Sequence, residues 1–140
     1  MTDGFKETFS ITAGDFATAG EASAKIKSVL RMIGIDPNLT RRVTVASYEA
    51  ELNMIIHSHG GEMSLQITPD AIFLKCADIG PGISNIEMAM REGFSTASSD
   101  IQMMGFGAGM GLPNMKKNCD EFSIVSDNSG TCLDMRFDIK

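Results

Sequence analysis

Aromatic residues are scarce in this chain, at 6% of 140 residues, and cations are outnumbered, with 12 Lys plus Arg against 18 Asp plus Glu. The shortage of aromatics argues against a base-stacking platform for single-stranded nucleic acid. A net charge of -6 argues against broad binding to a phosphate backbone, which needs clustered cations. It also argues against docking on anionic lipid. The densest basic pairs, Arg41-Arg42 and Lys116-Lys117, make no patch. Cysteine is equally rare: Cys76, Cys119 and Cys132 match no zinc or redox spacing. Such a low, odd count suits reduced thiols in a cytoplasmic protein, each packing as a small hydrophobe. No uninterrupted apolar run approaches the ~20 residues of a membrane span. Met1 to Ser10 has no apolar segment or basic start of the kind that directs export. Neither nucleic acid nor membrane is therefore an expected partner.

What is present fits one globular domain over residues 1–140, with 43% hydrophobic and 21% charged residues. Phe5, Phe9 and Ile11 suggest a first strand. Asp15 is placed to cap a helix carrying Ala24, Ile26, Val29, Leu30 and Ile33, which Gly34 ends. Asp36-Pro37 is a cap followed by proline at the first helical position, and starts a second helix that ends near Gly60-Gly61. The period then changes to two. Met63, Leu65 and Ile67 form a strand, Pro69-Asp70 a turn, and Ala71 to Ala77 its hairpin partner. Ser84 is placed to cap a short helix through Met90. A helix is expected over Leu112 to Asn118. Strands follow over Phe122 to Val125 and Cys132 to Ile139, joined at Asp127-Asn-Ser-Gly130. This order predicts an α+β, two-layer sandwich with helices on one face of a mixed, mostly antiparallel sheet.

Three groups of residues can carry chemistry. Gly105, Gly107, Gly109 and Gly111 alternate with Phe106, Ala108 and Met110, and a helix follows directly. Glycines let backbone amides approach an anion, and a helix N-terminus adds unpaired N–H groups, so the combination makes a phosphate cradle. It is not the Walker pattern, because no Gly-Lys-Ser/Thr follows. The second group is Asp78-Ile79-Gly80-Pro81-Gly82-Ile83. A carboxylate at the end of a buried strand needs a partner, and an exocyclic amine such as that of adenine is a suitable donor. The third is Glu49, Asn53 and His57, whose spacing of four puts them on one side of the second helix. A carboxylate and an amide side by side suit Mg²⁺ or the positioning of water. His57 fits either a phosphate contact or a packed histidine. Glu51, two residues from Glu49, reads as a solvated surface charge, and His59 as a surface residue.

Taken in order, Glu49-x-x-x-Asn53-x-x-x-His57, Asp78-x-Gly80-x-Gly82 and Gly105-x-Gly107-x-Gly109-x-Gly111-Leu112 resemble the N box and the two glycine boxes of the GHKL ATPase superfamily, which includes DNA gyrase B and the histidine kinases. The resemblance covers nearly the whole chain. The stretches from Asp78 to Ala97 and from Gly105 to Thr131 are most similar to the anti-sigma regulatory factor group, small serine/threonine kinases of bacterial partner switching.

That resemblance implies the Bergerat α/β sandwich and Mg²⁺·ATP as ligand. It implies Glu49 as general base, Asn53 as the Mg²⁺ ligand, and Asp78 as the partner of the adenine amine. The Thr131 hydroxyl would support Asp78. His57, Gly80, Gly82, Ile83, Gly105, Gly107, Gly109, Met110, Gly111 and Leu112 would complete the ATP-binding set, with residues 93–104 as a lid. It further implies a STAS-domain or sigma-factor-like protein partner and admits a homodimer. The lid span has no arginine, unlike members that grip a sigma factor, since Arg91 precedes it. The alternative activity is an ATP-gated binding module without phosphoryl transfer, in which Met103, Met104 and Met110 either form an adaptable surface or pack under the closed lid.

Overall fold

The computed structural model describes residues 5–80, 90 and 111–139. Among these, five strands form one sheet: β1 (Phe5–Ile11), β2 (Gly61–Ile67), β3 (Ala71–Asp78), β4 (Glu121–Asp127) and β5 (Gly130–Asp138). Their order is β1-β2-β3-β5-β4 and every pairing is antiparallel. Three α-helices accompany them: α1 (Glu21–Met32), α2 (Pro37–His57) and α3 (Gly111–Asn118). The short helix expected from Ser84, the 93–104 span, and Gly82, Ile83, Gly105, Gly107, Gly109 and Met110 lie outside the described residues.

The α+β sandwich expected from the sequence is what forms. Alternation sends Met63, Leu65 and Ile67 of β2, Leu74 and Cys76 of β3, and Leu133, Met135 and Phe137 of β5 to one face. There they meet Ile26 and Leu30 of α1, Val43, Ala46, Ala50 and Met54 of α2, and Leu112 and Met115 of α3 in one core. The opposite face is open and polar. One row across it reads Lys6, Gln66, Phe73, Arg136, Glu121.

α2 starts as its sequence requires. Asp36 Oδ2 accepts the amides of Asn38 at 3.0 Å and Leu39 at 3.2 Å, with Pro37 at the first helical position. The helix is central. It packs against both α1 and α3, so buried residues occur all round it, including Ser47 and Leu52 as well as the core positions.

α1 differs from expectation. Asp15 precedes only a short 3-10 turn, Phe16–Thr18, and makes no side-chain cap; α1 begins after Gly20. Its acceptor comes from across the fold. Glu51 of α2 takes the amides of Gly20, Ala22 and Ser23 at 3.1 to 3.2 Å. Glu51 is thus not a solvated charge: it is 2% exposed. The side of α2 opposite Glu49 faces α1 instead of water, and the α1 N-terminus supplies the donors that a buried carboxylate needs.

Candidate active site

Glu49, Asn53 and His57 occupy one side of α2, and all three are half-buried. Glu49 meets α3. Its Oε2 receives the Asn114 side-chain amide at 3.5 Å, and Oε1 lies beside Gly111, where a Cβ would sit 3.7 Å away. The carboxylate therefore stands at the head of α3, where the glycine run enters the helix. Burial pushes its pKa above the ordinary carboxylate range, opposed by the Asn114 amide. The Asn53 side chain, one turn on, makes no hydrogen bond to another described residue. Burial lowers the His57 pKa, which favours a neutral imidazole.

Asp78 ends β3 opposite Gly61 of β2. Its Oδ1 accepts the Thr131 amide of β5 at 2.9 Å. The support from Thr131 thus comes through the backbone, while its buried hydroxyl pairs with Ser126 Oγ of β4 at 2.8 Å. Two glycines make this packing possible. A Cβ on Gly130 would collide with the Asp78 carbonyl oxygen, and one on Gly61 would overlap the Ala77 carbonyl oxygen and Asp78 Cα. Burial raises the Asp78 pKa, opposed first by the Thr131 amide and then by His59.

The segment after Asp78 is tied down on two sides. Gly80 donates its amide to Ser129 O at 3.2 Å, and His59 donates to Ile79 O at 2.7 Å. The Ile79 amide returns to Gly60 O at 2.9 Å. The Asp78 loop is thereby docked on His59 and Gly60, just past the C-terminal end of α2. Glu49 lies eight residues back from His57, about 12 Å along the helix at ~1.5 Å per residue. The arrangement is elongated, with a carboxylate of raised pKa toward each end. Half-buried carboxylates perturbed by burial are candidates for a functional site.

Glu49, Asn53, His57 and the segment after Asp78 are thus gathered along α2, and Gly111 opens α3. Leu112 is buried in the core, so any contact it makes with a ligand comes from its backbone. No cluster of three or more His, Cys, Asp or Glu suited to a metal occurs among the described residues. The donor that suits a metal is the Asn53 amide oxygen, a hard oxygen. It fits Mg²⁺, which takes few protein ligands and completes its shell with phosphates and water.

Sequence reasoning did not single out Asn114, Ser126, Gly61 or Gly130 as part of this site. Gly130 carried a signal, as the last residue of a four-residue turn between strands. Asn114 carried only its position one turn past Gly111.

Residues 12–137 match the family model described as the histidine kinase-like ATPase domain. Over 104 residues the chain is 30% identical to the serine/threonine-protein kinase RsbT of Bacillus subtilis (strain 168), covering 71% of this chain and 72% of that protein.

Proposed function

The chain belongs to the histidine kinase-like ATPase domain family of the GHKL superfamily, and from that premise we propose that it is a protein serine/threonine kinase that uses Mg²⁺·ATP. The observation that carries the reading is the placement of Glu49 at the head of α3, beside Gly111, on the helix just past whose far end the Asp78 loop docks. It supports a reading in which Glu49 is the proton acceptor next to the phosphates and Asp78, at the other end of one elongated site, meets the adenine.

In this reading Asp78 accepts a hydrogen bond from the exocyclic amine of adenine through the oxygen not used by Thr131. The α3 amides and the glycine run hold the phosphates. Asn53 would hold Mg²⁺, which would supply charge neutralisation at the phosphates. Glu49 takes the proton of the acceptor's Ser or Thr hydroxyl. The hydroxyl oxygen bonds to the γ-phosphorus while the bond from that phosphorus to the β–γ bridging oxygen breaks, leaving ADP. The similarity to a serine/threonine-protein kinase supports phosphoryl transfer to a protein hydroxyl, and the resemblance of the sequence to the anti-sigma regulatory factor group makes a STAS-type protein the acceptor we propose. The whole chain acts as one ATP-binding domain, with residues 93–104 as its lid.

The test is calorimetric titration with ATP and GTP, with and without Mg²⁺, followed by transfer of labelled γ-phosphate to candidate STAS proteins. Mg²⁺-dependent, ATP-selective binding with transfer that Glu49→Gln lowers by about a hundredfold or more is the expected result. Binding without transfer to any acceptor, with partner capture that depends on ATP, would replace the kinase by an ATP-gated binding module. Absence of ATP binding with and without partners would overturn both.

A further inference from the structure

The Glu49 carboxylate can rotate about its last side-chain bond, a torsion that is broad and two-fold. A base needs one defined oxygen aimed at the proton it removes. Two observations fix that choice here. Oε2 is the atom that meets Asn114 Nδ2, at 3.5 Å. Oε1 is the atom beside Gly111. The first contact sits at the outer limit of a hydrogen bond, and contacts of this kind commonly tighten when substrate is in place.

Asn114 is itself held from the far end of its helix. The Asn118 side chain donates to the Asn114 carbonyl at 2.8 Å. Arg42 of α2 donates through Nε to the Asn118 carbonyl at 2.9 Å and pairs through Nη2 with Asp120 at 3.3 Å. Arg42 and Glu49 are seven residues, about two turns, apart on α2. They meet opposite ends of α3, so the two helices run antiparallel. The cation stands at the C-terminus of α3 and the carboxylate at its N-terminus, each matched to the helix dipole. The clasp at Arg42 thus sets the axial position of α3, and with it the place of the Asn114 amide.

We propose that Asn114 is a positioning residue that holds Glu49 Oε2 and so presents Oε1 to the acceptor hydroxyl. This rests on the reading of Glu49 as the base. The Asn114 amide also favours the ionised form of Glu49 against burial, which is the form a base requires.

The test is a double-mutant cycle on phosphoryl transfer with Asn114→Leu, Glu49→Gln and the pair, repeated with Asn114→Ala to remove the amide without bulk. Loss of the amide is expected to lower kcat about tenfold or more while KM for ATP stays near wild type. In the Glu49→Gln background the same change is expected to have no further effect, because the group it orients is gone. Equal loss in both backgrounds, or unchanged kcat for both Asn114 variants, overturns the proposal. A second readout needs no turnover: the Glu49 carboxyl, followed by carbon NMR, should titrate at higher pH in Asn114→Ala than in wild type. An unmoved titration overturns the contact itself. Full transfer activity in Glu49→Gln with a moved titration would instead sink the base assignment and leave the contact standing.

Discussion

Glu51 Oε1 on α2 accepts the backbone amide of Ser23 on α1 at 3.2 Å, and the same carboxylate takes the Gly20 and Ala22 amides. One buried side chain thus satisfies three of the donors that a helix start leaves open. It also puts a negative charge at the positive end of α1. Removing it leaves those amides without acceptors in a dry site. Glu51→Ala is therefore expected to cost about 2–4 kcal/mol of stability. Glu51→Gln, which keeps one acceptor oxygen, is expected to cost less. Urea unfolding of the three proteins measures this, and wild-type stability in Glu51→Ala would refute the capping role.

Gly130 permits the close approach of β5 to Asp78. At φ +153 it also lies in backbone territory that side chains rarely enter. Because a Cβ there would collide with the Asp78 carbonyl, Gly130→Ala must push β5 and the end of β3 apart. We expect a loss of about 1–3 kcal/mol in stability, with ATP affinity falling as well because Asp78 loses its brace from Thr131. Unfolding and calorimetric titration on the same preparation separate the two effects. Retained affinity would mean that Asp78 does not need Thr131.

Asp78→Asn tests the adenine contact directly. The substituted amide can still accept the Thr131 N–H through its oxygen, so the fold is expected to hold. Its NH₂ group, however, would face the adenine amine, donor against donor. A loss of about 1–3 kcal/mol in ATP binding is expected, together with loss of the preference for ATP over GTP. Tight, still ATP-selective binding in this variant would place the base elsewhere.

The elements that were legible in the sequence are those with local causes. Asp36-Pro37 writes its own cap, the alternation of Met63, Leu65 and Ile67 writes its own strand, and the spacing of Glu49, Asn53 and His57 holds on the helix. What failed had a cause distant in sequence. Asp15 is an acceptable cap residue, but the start of α1 is capped by Glu51, 28 residues after Ser23. Glu51 looked solvated because its side of α2 seemed surplus, and only the packing of α1 shows that this helix has no outer side there. The Asn114–Glu49 contact spans 65 residues, and the link from Asp78 to Thr131 spans 53. Neither leaves a local pattern to read.

The two raised carboxyl pKa values carry a stability consequence of definite sign. Burial raises Glu49 in the folded chain, so the native state holds that proton to higher pH than the unfolded chain does. The resulting stabilisation is complete below the unfolded value of ~4.3 and is lost as pH rises through the folded value. At neutral pH the ionised Glu49 is thus a net cost of folding, and Asp78, also raised by burial, acts in the same direction. Glu49→Gln removes the cost. Its Tm at pH 7 is expected to match or exceed that of wild type, and the difference should shrink toward pH 4, while phosphoryl transfer falls by about a hundredfold or more. A site that sacrifices stability for reactivity behaves in this way. A Glu49→Gln variant clearly less stable than wild type at pH 7 would show instead that the ionised carboxylate is held chiefly by the amides of α3, as a structural cap rather than a poised base.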